Sequence, residues 1–388
     1  MITPLLFPLL ASAFVAVSSA HTVPAAGPDT AGLAVRATPD TLGAPADTSV
    51  RVTVGAFVDT YVAYDAGRPR SLDRAVTTQA ARHAEFNVNL AHVEATLSAP
   101  RVRGRLAAQA GTSVQANYAA EPRVGQISGG DLSRLLQEAY VGYEVRKGLW
   151  VDAGIFFSNL GLEAWASRDN ATYTRSLVAE FSPYYSSGVR ATWQATSSLT
   201  VRADLVNGWQ NVSESNEDKA VGARIDYAIG PGTTLSWYGL AGNEPGARLR
   251  LFNGVGLRLQ LPHEFQLTAQ ADVGRQEAAD SAGRAGAPQS WAGATATLRW
   301  GMTPRTAFVA RTEWYADGQQ VVASTGTPDP LRSTGASLGV DRRLSPLLAW
   351  RTELRALVNR DPIFADRRTA SGLSRTNMMA VTSLALSF

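Results

Sequence analysis

Any chemistry in this chain has to be electrostatic rather than bond-making. Its four histidines, His21, His83, His92 and His263, lack metal-ligand spacing, and cysteine is absent. No Gly-x-Ser-x-Gly elbow or Walker-type loop occurs, and Gly254-Val255-Gly256 lies within a strand-like run rather than before a helix. No metal and no cofactor is therefore expected. Between 159 and 184, however, Glu163, Arg168, Asp169, Arg175 and Glu180 stand among Trp165, Tyr173, Phe181 and Tyr184, with Tyr185 following. Such a long connection is usually functional or disordered, and its aromatic content argues against disorder. Fixed charges of both signs on an aromatic-anchored segment set up a field that favours polar over apolar solutes.

Such a segment needs a rigid frame. From Arg51 onward, short runs with period-two alternation recur between turn residues, the mark of strands with one apolar and one polar face. Sixteen can be drawn: 51–64, 84–98, 101–117, 133–146, 148–158, 185–196, 199–208, 219–229, 233–242, 250–261, 264–275, 290–301, 305–315, 332–343, 347–359 and 376–388. Tight turns such as Ala99-Pro100, Ser197-Ser198 and Gly230-Pro231-Gly232 alternate with longer connections at 65–83, 118–132, 159–184, 209–218, 243–249, 276–289, 316–331 and 360–375. Short turns on one side and long loops on the other are the pattern of outer-membrane barrels.

Parity then assigns the faces. In 347–359, Trp350, Leu354 and Val358 oppose Arg351, Glu353 and Arg355; in 305–315, Phe308, Ala310 and Trp314 oppose Arg311 and Glu313. A soluble sandwich would turn its apolar face inward, but sixteen strands would make an unusually large soluble sheet system. A membrane barrel inverts the pattern, with apolar residues on lipid and polar ones on water, and a lipid-facing charge at mid-bilayer costs about 2–4 kcal/mol. The expectation is an all-β fold: a transmembrane antiparallel up-and-down β-barrel of sixteen strands, its third external loop folded inward. Run 84–98 changes phase near Ala91, which reads as a bulge. Trp150, Trp193, Trp237, Trp291, Trp300, Trp314 and Trp350 lie mostly near strand ends and suit interfacial girdles.

The chain ends agree. Residues 1–20, MITPLLFPLLASAFVAVSSA, read as an export signal cut after Ala20; their apolar core is too short to span a bilayer comfortably. Residues 21–50, rich in Ala, Pro, Thr, Gly and Asp, read as a flexible periplasmic linker before a barrel at 51–388. The final MAVTSLALSF alternates Leu384, Leu386 and Phe388 with small residues, like the terminal strand by which outer-membrane barrels engage the barrel-assembly machinery. The net charge of +3 is too slight for nucleic-acid binding. Arginine is heavily preferred, the only lysines being Lys147 and Lys219.

The segments LQEAYVGYE (136–144), GLWVDAGIFFSNLGLEAW (148–165), SRDNATYTRSLVAEFSPYYSSGVR (167–190) and LVNGWQNVSESNEDKA (205–220) resemble the OmpL-like β-barrel porin family. The resemblance implies a bacterial outer-membrane location and a channel. It names no solute.

Together these readings give a porin: a water-filled channel for passive diffusion of small hydrophilic solutes, surrounded by outer-membrane lipid and narrowed by loop 159–184. The sequence leaves open whether the barrel forms a homotrimer. Parity nominates Arg103, Arg105, Glu138, Asp152, Arg190, Arg202, Asp204, Arg224, Asp226, Arg258, Arg311, Glu313, Arg351, Glu353 and Arg355 as the pore-lining wall. The loop acids Glu163, Asp169 and Glu180 are expected to face wall arginines across water, and the near balance of signs implies weak ion selectivity. The alternative is a structural or adhesive barrel with a plugged lumen. A barrel enzyme would need a Ser, His and acid constellation, and no serine is nominated beside His83 or His92, so the chain reads as a non-enzyme.

Overall fold

The computed structural model describes residues 49–127, 130–244, 247–279 and 285–388. The expected export signal, and all of the expected linker but its last two residues, lie outside them. Eighteen strands follow in chain order: β1 (Arg51–Asp65), β2 (Phe86–Ala99), β3 (Val102–Ala110), β4 (Leu136–Arg146), β5 (Leu149–Phe157), β6 (Tyr185–Gln194), β7 (Leu199–Val206), β8 (Ala220–Gly230), β9 (Thr233–Gly242), β10 (Ala247–Leu261), β11 (Phe265–Ala279), β12 (Ala285–Thr303), β13 (Thr306–Asp317), β14 (Leu331–Arg343), β15 (Leu348–Asn359), β16 (Phe364–Ala365), β17 (Leu373–Ser374) and β18 (Thr376–Ser387). β16 and β17 pair only with each other, inside the last long loop; the other sixteen close into one antiparallel barrel. Closure joins β1 to β18, and Ala56 and Phe388 exchange both backbone hydrogen bonds at 3.1 Å. No sheet edge is left unpaired in the wall, as a bilayer requires.

The alternation sets the faces as parity predicts. On β13, Phe308, Ala310, Thr312 and Trp314 point out, while Val309, Arg311, Glu313 and Tyr315 are buried inside. On β15, Trp350, Leu354 and Val358 are exposed outside and Arg351, Glu353 and Arg355 are buried inside. The tight turns use backbone that few residues favour: Gly148 and Gly232 sit at φ 76° and 74°, where a side chain would be strained.

Four expectations need correction. Thr112–Asn117, read as the end of a strand, is a short helix. The β2–β3 ladder ends at Ala91 opposite Ala110, and the hydroxyls of Ser113 and Thr112 take over the free carbonyls of Asn89 (2.8 Å) and Val88 (3.2 Å). The bulge in β2 lies at Asn89 rather than at Ala91: Asp59 faces Leu90 while Thr60 faces Val88. The fifth and sixth long loops are shorter than expected, because β10, β11 and β12 run on past the loop starts. Finally, Trp150 and Trp291 do not join the girdle. Trp291 is buried, and Trp150 lies under the Arg103 guanidinium, 4.5 Å from its ring centre. The other five wall tryptophans are exposed outward.

The lumen is not uniformly polar. At its loop end, Tyr238, Phe252, Trp291, Tyr315, Leu331 and Leu357 point inward and pack with loop residues into a buried apolar cluster. Further down the wall the inward face becomes charged.

The outward face gives a direct test of orientation. Leu338 stands in mid-strand, two-thirds exposed on the outer wall. Leu338→Arg should lower stability by about 2–4 kcal/mol in a guanidinium titration of the barrel folded into lipid vesicles. No loss would mean that this face does not meet lipid.

Candidate functional site

The connection 158–184 leaves β5, crosses the inside of the barrel and returns to β6, its base closed by a Ser158 N–H to Tyr184 carbonyl hydrogen bond of 2.8 Å. It contains only a short 3-10 turn (Ser167–Asp169) and one helical turn (Leu177–Glu180). Most of its backbone therefore has no partner of its own, and buried backbone groups must find one. The barrel wall supplies it.

Four wall arginines donate to loop oxygens. Arg224 on β8 reaches the carbonyls of Asn159 (2.8 Å) and Gly161 (2.7 Å), and Arg258 on β10 reaches that of Leu162 (2.5 Å). Arg351 on β15 donates to the carbonyls of Ser167, Asn170 and Ala171, the last two at 2.9 Å. Arg311 on β13 donates to the carbonyl of Thr174 (2.6 Å) and the hydroxyl of Thr172 (2.7 Å). Wall acceptors take the loop's donors. Glu353 accepts the N–H and O–H of Thr174 (2.7 and 2.8 Å), Glu313 the N–H of Leu177 (2.8 Å), Gln270 the N–H of Leu162 (2.8 Å) and Asp59 the hydroxyl of Ser167 (2.8 Å). A guanidinium offers five donors in a plane and serves several carbonyls at once, which an ammonium does less well. That explains the preference for arginine over lysine in this lumen.

The charges are themselves balanced. Glu313 takes a two-pronged contact from Arg355 at 2.8 Å, and Arg311 lies 3.1 Å from Glu353 and 3.6 Å from Glu313. These two arginines and two glutamates are almost wholly buried and sum to zero. Elsewhere on the wall, Arg103 pairs with Asp152, Arg105 with Glu94 and Glu138, Arg190 with Asp204, and Arg202 and Arg224 with Asp226. All fifteen wall residues nominated by parity thus lie in this inward network.

Apolar contacts hold the loop as well. Leu160, Leu177 and Val178 join the cluster around Trp291 and Tyr315, while Trp165, Ala166, Ala179 and Tyr184 pack with Phe57, Leu90, Val114 and Tyr118. Each large side chain fully buried stabilises by roughly 1.5–3 kcal/mol. The wall makes room with glycine: a Cβ on Gly256 would lie 2.6–2.8 Å from three carbons of the Leu162 side chain, and one on Gly293 would lie 2.6 Å from Val178. The first long loop braces the outside of this seat. The Thr78 hydroxyl donates to Glu180 at 2.6 Å, and the Gln79 amide donates to the Trp165 carbonyl at 2.9 Å.

The five loop charges consequently split. Arg175 is buried, stacked 3.7 Å from the ring centre of Tyr184 and 3.6 Å from Glu180. Glu163 accepts from the backbone N–H and the hydroxyl of Ser176 within the loop. Burial pushes the Glu163 carboxyl above its usual range, opposed by Arg311 and the Ser176 donors. Glu163, Arg175 and Glu180 are therefore internal fastenings. This corrects the expectation that Glu163 and Glu180 face wall arginines across water: the arginines grip loop carbonyls instead. Arg168 and Asp169 keep about a third of their side chains open, and they stand near Arg105 and Glu94, which are 26% and 19% exposed. Parity missed Asp59, Glu94, Gly256 and Gln270 as residues that meet the loop. For Gln270 a signal existed, since it lies on the polar parity of β11.

A family model described as "Putative beta-barrel porin-2, OmpL-like" matches residues 51–388. No curated protein sequence matches the chain. Among solved structures, the anion-selective porin from Comamonas acidovorans aligns with a TM-score of 0.54 at 12% identity, over 88% of this chain and 100% of that one. The outer membrane channel DcaP of Acinetobacter baumannii gives 0.58 at 12%, over 89% and 99%. The trimer form of OmpT of Vibrio cholerae gives 0.56 at 8%, over 88% and 100%. At such identities these structures speak for the fold alone.

The buried quartet generates a test. Glu313→Gln removes the carboxylate that serves Arg355, Arg311 and the Leu177 N–H, a break expected to cost about 3–5 kcal/mol. Trypsin should then cut at Arg168 or Arg175 in a barrel that still migrates as folded, whereas the native loop resists. Equal resistance in both would show that the wall does not hold the loop.

Proposed function

We propose how this chain, which belongs to the beta-barrel porin-2, OmpL-like family and is a passive-diffusion channel of the bacterial outer membrane, sorts what passes. Loop 158–184 acts as a fixed constriction, and the part-open charges beside it, Arg168, Asp169, Arg105 and Glu94, border the path for small hydrophilic solutes. The observation that carries this reading is the loop's course: it bonds to β1, β8, β10, β11, β13 and β15, so it spans the lumen instead of covering its mouth.

A field across a narrow aqueous gap favours polar over apolar solutes. Because the nominated wall arginines other than Arg258 are paired with carboxylates, the gap carries little net sign, and ion selectivity is weak. No catalytic step is assigned to the chain. The reading includes assembly as a homotrimer, the form described for OmpT of Vibrio cholerae. It also includes recognition by the barrel-assembly machinery through β18 and the residue that follows it, Phe388, which is two-thirds exposed.

The dense packing of the loop end favours one competing reading, a barrel whose lumen is plugged and whose role is structural or adhesive. Liposome swelling with sugars of graded size separates the two. A channel gives swelling that falls with sugar size, and a plug gives none at any size. The constriction has its own test. Gly256→Phe puts a ring where Leu162 now sits and should displace the loop, raising single-channel conductance in planar bilayers. Unchanged conductance in a folded Gly256→Phe barrel would remove the loop from the pathway. The wild-type reversal potential in a salt gradient should stay near zero, and a large value of either sign would contradict the balanced wall.

A further inference from the structure

The outer wall carries a feature that conduction does not use. Arg332 is the second residue of β14 and points outward, while its neighbours Leu331 and Ser333 are buried inward. Arg360 follows β15 and is exposed, continuing the outward series of Val358 after the buried Asn359. The two are side by side, since the Arg360 N–H donates to the Arg332 carbonyl at 3.1 Å. Among the described residues, neither guanidinium has a carboxylate within ion-pair distance. Like charges placed next to each other on adjoining strands repel, and that repulsion is relieved by an anion.

Their height fixes where such an anion would be. Outward residues on β14 run Arg332, Thr334, Ala336, Leu338, Val340, Arg342, so two arginines bracket an uncharged stretch. Ten residues at about 3.3 Å each, tilted by about 40°, span about 25 Å, the height of the apolar band of such a barrel. Arg342 is level with Trp350 at the short-turn end, so Arg332 and Arg360 stand at the opposite boundary, under the long loops. From Thr334, two residues along β14 from Arg332, a trough of about 820 Å³ runs across the outer wall toward β8. Its floor is Ala269, Ala271, Ala294 and Ala296, flanked by Trp237 and Trp314, and Thr334, two residues from Arg332 on the same face, forms its near end.

We propose that Arg332 and Arg360 bind the phosphate of a phosphorylated lipid in the outer leaflet, with an acyl chain of that lipid lying in the alanine-floored trough. The pairing is chemically specific. A guanidinium pair matches a phosphate in charge and in hydrogen-bond geometry, and the trough is lined by alanine methyls and apolar side chains that suit a methylene chain. Only the barrel's place in the outer membrane is needed here, so the site stands whether or not loop 158–184 constricts the pore.

The test uses the full-length barrel in phosphatidylcholine nanodiscs doped with bisphosphorylated lipid A, counting lipid A per barrel by native mass spectrometry. Wild type should retain it, and Arg332→Gln with Arg360→Gln should weaken retention about tenfold or more. The double Arg→Lys variant should bind with intermediate strength, and Ala296→Phe, which fills the trough, should also lose lipid while keeping both arginines. Dephosphorylated lipid A should be poorly retained by wild type. Single-channel conductance of the Gln double variant should match wild type, because both side chains face away from the lumen. Equal retention by wild type and the Gln double variant overturns the proposal. So does full release by millimolar inorganic phosphate with Ala296→Phe still binding, which would make the pair an ion site without a lipid.

Discussion

Everything inside this barrel follows from one constraint: a loop with almost no regular structure has been placed where most of its residues are buried away from bulk water. Its carbonyls and N–H groups must be satisfied by side chains. The wall meets that demand with guanidinium groups for the carbonyls of Asn159, Gly161, Leu162, Ser167, Asn170, Ala171 and Thr174, and with carboxylates or an amide for the N–H groups of Leu162, Thr174 and Leu177. The arginines in turn need counter-charges, because an unpaired buried ion costs several kcal/mol. Each layer thus requires the next, from loop backbone to arginine to carboxylate.

The same constraint divides the lumen along its axis. Near the long loops the inward face is aromatic and aliphatic, and it buries Leu160, Leu177 and Val178 against Trp291 and Tyr315. Glycines at 256 and 293 let loop side chains approach the strand backbone. Below the loop the inward face turns to arginine, aspartate and glutamate. A barrel of sixteen strands leaves an aqueous lumen when empty. Here a folded segment bonds across the middle of it, and in the reading proposed above the segment's edge, rather than the barrel's circumference, sets the bore. The outer face obeys a separate rule: it stays uncharged between Arg342 and Arg332, where lipid would make a charge costly.

Much of this was legible from residue types in order. Period-two alternation placed all sixteen wall strands, most of them to within three residues of their ends, because lipid and water impose opposite demands on successive residues. Parity put Arg311, Glu313, Arg351, Glu353 and Arg355 on the inner face for the same reason. The errors have physical causes too. Gly-Thr-Ser-Val-Gln-Ala-Asn alternates well enough to pass for strand, and only the bulge at Asn89 frees the carbonyls that hold it as a helix. Trp291 sits on the inner parity of β12, but a tryptophan near a strand end also suits an interface, and only the loop's arrival explains its burial. The loop's charges misled most. Glu163, Arg175 and Glu180 have the composition of a water-facing edge, yet they fasten the loop to itself and to its neighbours. Sequence lists the donors and acceptors of a loop without its path, so it cannot say which of them will meet.

The central claim is that the edge of this loop at Arg168 and Asp169 borders the solute path. The chain has no cysteine, so a single Asp169→Cys can be labelled cleanly. Single-channel current through that variant should fall in discrete steps when a negatively charged thiol reagent is added, and recover with a reductant. A current unaffected by complete labelling at position 169 would contradict the account.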